Sequence, residues 1–300
     1  MIEFNINRIL VPVDFGPASI NALDSAIALA KRHGATILLL NVLDTSVLPD
    51  FTGNTNIPGD VVNALAENSE QELKSLQDSI IERFLLPCEA IAISGFVSTS
   101  IIKVSARHQV DLIVMGTQGA SGHKDFFIGS NAYNVVKNSV CPVLTIPPEK
   151  KWESFKKILF PVRPIPFALE KYDFVRKIIR KNDAKLKILG LASDYEKEVD
   201  LLKDLAAQLK EKLKDDEVEA STYFKVGKNM ADEVLKIAAL MDADMIVITA
   251  TIDSSFKQFL IGPYTQYIIN HSRFPVLSVR PSSIDTGMEE VQQQSLKSFV

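Results

Sequence analysis

Residues 116–130 read GTQGASGHKDFFIGS, and the glycines in this stretch are spaced for work on a phosphate. Gly116 and Gly119 follow the strand-like run Asp111-Leu-Ile-Val-Met115. Gly129 and Ser130 open a helix-like run that starts near Asn131. Glycine lets the main chain approach a ligand closely and adopt positive φ. A helix start offers unpaired N–H groups and a partial positive charge, both suited to an anion. A seryl hydroxyl beside such amides can hold phosphate without Lys or Arg. His123, Lys124 and Asp125 lie within the loop, where they either reach a terminal phosphate or stand in solvent. The chain has no GxxxxGK[ST] sequence and no other evident base for activating water. Asp14, after Val11-Pro12-Val13, is a further polar candidate, though an aspartate there could equally cap the helix that follows Ala18.

These residues need elements to position them, and the chain supplies an alternating series. Ile9–Val13, Thr36–Val42, Glu89–Ile93, 111–115 and Pro142–Ile146 are strand-length apolar runs. Between them, 18–32, 60–84, 98–107 and 131–137 carry helical apolar spacing. Alternation of this kind predicts parallel βαβ units with right-handed crossovers, hence an α/β fold. The series restarts at Ile158-Leu-Phe-Pro-Val162, with a helix expected over Pro166–Arg180. The second copy can be laid on the first: Asp111-Leu-Ile-Val on Asp244-Met-Ile-Val, Lys124–Gly129 on Lys257–Gly262, and Pro142-Val-Leu on Pro275-Val-Leu, all at an offset of 133. At the start the offset is 149, from Ile9 to Ile158, and the loop 44–59 accounts for most of the difference. The chain is thus read as a tandem repeat: a domain over 1–147, a linker carrying Pro147 and Pro148, a domain over 153–281, and a polar tail over 282–300. Trp152, in the linker, is expected to pack between the halves.

Composition narrows the classes. The net charge is −4, with 33 Lys+Arg against 37 Asp+Glu, so no basic nucleic-acid face is indicated. Residues 1–150 hold 10 basic and 15 acidic side chains, and residues 151–300 hold 23 and 22, an ordinary difference between surfaces. Cys88 and Cys141 form no CxxC and are expected to be reduced and buried. No apolar run is long enough for a membrane span, and the N-terminal residues do not read as a signal peptide, so a cytoplasmic protein is expected. The four histidines show no metal-ligand spacing.

The Gly-x-x-Gly, nine residues, Gly-Ser pattern resembles that of the ATP-binding branch of the universal stress protein family. Val-Pro-Val-Asp at 11–14, Leu-Asn-Val at 40–42 and Cys-Pro-Val-Leu at 141–144 are also similar. The resemblance implies two tandem Rossmann-like (adenine nucleotide alpha hydrolase-like) domains. Each would be an open five-stranded parallel sheet of order 3-2-1-4-5 with helices on both faces. Ligands of such sheets bind at the carboxyl ends of the strands where the order reverses, here between strands 1 and 4. By the resemblance, the end of strand 1 (Pro12, Val13, Asp14) would meet the adenosine part, Val42 would bond adenine through its backbone, and Met115 would line the base pocket. Gly116 and Gly119 would approach ribose and phosphates, and Gly129, Ser130 and Asn131 would hold the phosphate tail. The ligand would be ATP, AMP or another adenylate, with Mg²⁺ accompanying a triphosphate.

At the same offsets Gly116 becomes Thr249, Gly119 becomes Ile252, Ser130 becomes Pro263 and Asp14 becomes Arg163, while Gly129 survives as Gly262. Proline there lacks both the hydroxyl and the N–H, so the second domain is not expected to bind ATP in the family manner. Strands 142–146 and 275–279 resemble the edges through which family members pair, which implies an intrachain pseudo-dimer and allows a homodimer. The leading reading is a regulatory ATP-binding protein with one competent site per chain. The alternatives are an interaction scaffold that binds no nucleotide and a slow ATPase.

Overall fold

A computed structural model describes residues 4–44, 59–117, 128–148, 150–165, 167–250, 252–253 and 260–281 of the 300-residue chain. It divides into two compact units, Asn5–Ser154 and Phe155 onward, the latter joined by Phe4. Gly119, His123, Lys124, Asp125 and the tail 282–300 lie outside the described residues.

The first unit runs β1 (Arg8–Pro12), α1 (Pro17–His33), β2 (Thr36–Asp44), α2 (Gly59–Phe84), β3 (Cys88–Gly95), α3 (Val97–Arg107), β4 (Leu112–Gly116), α4 (Ser130–Asn138) and β5 (Val143–Ile146). β1 pairs in parallel with both β2 and β4, β2 with β3, and β4 with β5, so the order is 3-2-1-4-5. The strands read as continuous apolar runs because helices cover both faces of the sheet. Ile9, Leu10 and Val11 are accordingly buried, as are Leu112, Ile113 and Val114. In α1 Pro17 stands at the start, where its missing N–H costs nothing. Gly34, at φ 70°, ends the helix in the left-handed conformation that glycine adopts without strain. Its buried face carries Ala22, Ala26 and Ala30, small enough to let the helix lie close on the sheet, with Leu23, Ile27 and Leu29 between them.

The second unit repeats the plan with β6 (Lys157–Val162), α5 (Glu170–Asn182), β7 (Lys185–Ala192), α6 (Glu196–Asp215), β8 (Ala220–Val226), α7 (Met230–Leu240), β9 (Met245–Thr249), β10 (Ile252–Asp253), β11 (Leu260–Ile261), α8 (Pro263–His271) and β12 (Val276–Val279). β6 pairs with β7 and β9, β7 with β8, and β9 with β12, all in parallel. The antiparallel pair β10–β11 was not legible in the sequence. Trp152, in the first unit, is buried with the Lys150 ammonium 3.9 Å from its ring. Both cysteines are unbridged, and burial pushes both thiols up, that of Cys88 to about 12. Among the described residues no helix is long and apolar enough to cross a membrane.

One latch recurs in both units. Asp111, just before β4, accepts hydrogen bonds through Oδ2 from the backbone N–H of Asn7 (2.8 Å) and Arg8 (2.9 Å). Asp244, just before β9, accepts from Lys156 and Lys157, both at 2.9 Å. Each carboxylate satisfies two donors at the open start of the central strand, which backbone pairing leaves without partners. The repeated aspartate of the sequence alignment is therefore a structural one.

The units differ at the helix after the central strand. At the offset of 149 the start of α1 corresponds to residue 166, yet α5 begins only at Glu170, where 13 residues from Glu170 to Asn182 are helical. The helix expected from Pro166 thus lacks its first turn. Phe167 there adopts φ 59°, which a helix does not allow. Lys171, at the position of Ala22, turns inward and is 3% exposed. Its Nζ lies 2.8 Å from Pro161 O, 3.1 Å from Ala168 O and 3.1 Å from Thr249 Oγ1, and 4.6 Å from the centre of the Phe160 ring. Burial, with a smaller contribution from the nearby Arg163 charge, lowers its pKa to about 7. All three partners, two carbonyls and a threonine hydroxyl, accept from the Lys171 nitrogen, so its N–H groups are satisfied although it is buried.

Two outcomes are expected. Replacing Asp244 by Ala lowers the stability of the second unit by about 1–3 kcal/mol, because two donors lose a charged acceptor; Asp244→Asn, which keeps an acceptor, costs less, and urea unfolding of the two variants checks the order. Lys171 gives stability a pH slope. The unfolded chain keeps a proton on this amine up to about pH 10, whereas the native chain releases it near 7. Between those values the unfolded state binds more protons, so stability rises with pH. The difference in unfolding free energy between wild type and Lys171→Met therefore grows in favour of wild type from pH 7 to 10, by on the order of a few kcal/mol; a flat difference would contradict it.

Candidate functional site

β1 and β4 lie side by side, with Ile9 opposite Leu112 and Leu10 opposite Ile113. Their carboxyl ends open onto a cavity of about 560 Å³. Pro12, Val13 and Asp14 line it from the end of β1, Val42 from β2, Met115 and Gly116 from β4, and Gly129, Ser130 and Asn131 from the start of α4. Nine of the ten residues selected from the sequence therefore meet in one place, and the tenth, Gly119, is outside the described residues.

The cavity has two chemically different parts. Leu40, Val42, Val97, Ile101 and Met115 give it apolar wall. At α4 the N-cap is Gly129 (φ −61°, ψ 151°), without a side-chain cap hydrogen bond. The first intrahelical acceptor is Gly129 O, bonded by Tyr133 N at 3.0 Å. The amides of Ser130, Asn131 and Ala132 precede that bond and belong to the set a helix start leaves for a ligand or water. Gly129 N itself is engaged, donating to Thr117 O at 2.7 Å, and this bond draws the two ends of the loop together. The exposed hydroxyl of Ser130 adds a donor and acceptor at the same place.

The end of β1 is held firmly. Val13 N donates to Leu40 O and Asn41 Nδ2 to Val13 O, both at 2.8 Å. Asp14 does not cap α1. The N-cap is Gly16, and Asp14 Oδ1 accepts from Gly16 N at 3.0 Å, closing a turn ahead of the helix. Gly116 also has a reason independent of any ligand: a Cβ there would lie 2.9 Å from Ala18 O, so the first turn of α1 excludes a side chain.

Sequence reasoning passed over Ser19, Leu40, Asp44, Val97, Ile101, Thr117 and Ala132, which also line the cavity. The four-residue spacing of Val97 and Ile101 marks one face of a helix. Which face overhangs the crevice is fixed only by how α3 packs. Asp44, at the end of β2, adds a second carboxylate to the lining of the cavity that Asp14 also lines.

The corresponding crevice of the second unit is built differently. Thr249 replaces Gly116, which is possible because α5 lacks the turn that crowds the glycine in the first unit. The Thr249 hydroxyl meets Lys171, whose amine bridges it to the end of β6 at Pro161. Arg163, in the place of Asp14, lies with its guanidinium 4.1 Å from the Tyr264 ring. Burial lowers the pKa of that guanidinium. α8 starts with Pro263, so one amide and one hydroxyl present at α4 are missing.

The sequence pattern of the universal stress protein family matches residues 5–147 and again residues 154–280. The universal stress protein MJ0531 of Methanocaldococcus jannaschii is 30% identical over 149 residues, covering 48% of this chain and 84% of that protein. YxiE of Bacillus subtilis, also a universal stress protein, is 30% identical over 146 residues, covering 47% and 98%. In fold, the chain is similar to the crystal structure of a universal stress protein from Archaeoglobus fulgidus, with a TM-score of 0.75 over 93% of this chain and 100% of that one, at 21% identity. With two matches that together span most of its length, the chain belongs to the universal stress protein family and carries the family's domain twice.

Proposed function

We propose that the first domain binds an adenine nucleotide between β1 and β4, and that the chain is a regulatory stress-response protein with one such site. The observation that carries the reading is the convergence of Pro12–Asp14, Val42, Met115–Gly116 and Gly129–Asn131 on a single cavity. Its volume, about 560 Å³, falls in the usual range for small-ligand pockets. The apolar wall suits a base, Asp14 and Asp44 supply acceptors for ribose hydroxyls, and the start of α4 suits phosphate. ATP and AMP use the same seat, and Mg²⁺ accompanies the triphosphate. In the second domain, Pro263 and the Lys171–Thr249 contact occupy the places where the same ligand would need an amide and open space.

Ser130→Pro transplants the second domain's residue into the first and is the cleanest test. Proline is well tolerated at the first position of a helix. Gly129, at φ −61° and ψ 151°, already has the extended backbone a following proline requires. The variant should keep the wild-type melting temperature. Calorimetric titration with ATP, and separately with AMP, should give one site per wild-type chain and an affinity at least about tenfold lower in the variant, since a donor to a charged group is lost. Unchanged affinity in the variant, or two equal sites per wild-type chain, would overturn the reading. Gly116 is a poor choice for this purpose, because a side chain there would disturb α1 before it reached a ligand.

A further inference from the structure

β8, at one edge of the second unit's sheet, is uncovered in a way its counterpart is not. In the first unit α2 packs on β2 and β3, whereas α6 packs on β6 and β7, one strand further in. Tyr223, Phe224 and Val226 are consequently 54%, 49% and 55% exposed. The Phe224 ring lies across Gly190 of β7, where a Cβ would be 2.6 Å from it, so the ring rests on the sheet and leaves its outer side open.

The backbone of this edge has a definite polarity. Leu186 N donates to Glu219 O, and Leu186 stands opposite Ala220 in the register. In a parallel ladder Glu219, Ser221, Tyr223 and Lys225 therefore turn their N–H and C=O towards β7, and Ala220, Thr222 and Phe224 turn theirs outwards. An antiparallel partner strand must oppose outward residues to outward residues. For a second copy of β8 related by a two-fold axis, only certain registers satisfy this. The one centred on Thr222 sets Thr222 against Thr222, Ala220 against Phe224, Ser221 against Tyr223 and Glu219 against Lys225. Each large ring meets a small residue, and Glu219 and Lys225, which within one chain pair with Lys185 at 2.9 Å and Glu233 at 3.8 Å, meet their opposite charges across the seam. A lysine on an edge strand normally discourages pairing, but here it faces a carboxylate in the pair type with the closest side chains.

We propose that β8 is a self-docking edge through which two copies of this chain join antiparallel about Thr222. The partner is a second copy because the strand's own charge pattern is complementary to itself in a register that its outward backbone groups permit.

The test is sedimentation velocity of the full chain at about 100 µM, a concentration that detects micromolar self-association. Wild type should sediment as a dimer. Thr222→Pro, which removes an outward N–H without touching the ladder to β7, should shift it to monomer. Glu219→Lys and Lys225→Glu, each placing like charges opposite one another at two symmetry-related positions, should each weaken the dimer by about tenfold. The double variant Glu219→Lys/Lys225→Glu should restore it, an outcome that a loss of folding could not produce. A monomeric wild type, a dimer indifferent to these substitutions, or a double variant as weak as the single ones would each overturn the proposal.

Discussion

Two parallel strands that leave a sheet side by side, with their following helices carried to opposite faces, cannot both be covered by main chain at their carboxyl ends. In this protein β1 and β4 are such a pair, and so are β6 and β9. The gap is a topological consequence, present in both halves whatever the residues around it. What differs is how each half fills it. The first leaves a cavity bounded by apolar side chains on one part and by the start of α4 on the other. The second places its own amine there, held by two carbonyls and a hydroxyl.

The exchange between the halves is concerted. A glycine at 116 is required because α1 begins early and its Ala18 carbonyl sits where a Cβ would be. When the helix starts one turn later, as α5 does, a threonine fits in the glycine's place, and a lysine can follow where alanine stood in the helix. The two substitutions depend on one another. Thr249 with an intact first turn would collide with it, and a buried Lys171 without Thr249 would lose one of its three partners. The second unit thus has a coherent alternative arrangement at these strand ends, with a buried amine where the first has alanine and open cavity wall.

Much of this is legible in the sequence. The strand-length apolar runs and the two constant offsets gave the tandem α/β plan, because both faces of a parallel sheet are covered and its strands have no polar face to interrupt them. The candidate residues of the glycine loop stood out because glycines at a strand exit and a serine at a helix start suit an anion, whereas Val42, Met115 and the contacts of Pro12–Asp14 came from the resemblance to the universal stress protein family. Asp14 and Gly116 each have a structural use as well. Beyond Val42 and Met115, the apolar wall of the cavity was not legible. Val97 and Ile101 look like any helix face, and only the packing of α3 on the sheet brings them over the crevice. Nothing in the sequence around Lys171 sets it apart from the other lysines of α5, since no local pattern signals that the helix has been shortened.

The sequence by itself therefore determined the repeat, the parallel sheets and the set of polar groups at the strand ends, because these follow from periodicity and from the conformational needs of individual residue types. The tertiary structure decided which carbonyl a glycine must avoid, where a lysine points and how far a helix reaches across a sheet edge. Those outcomes depend on distances between segments far apart in the chain, such as Gly116 and Ala18 or Lys171 and Thr249, and no local pattern encodes them.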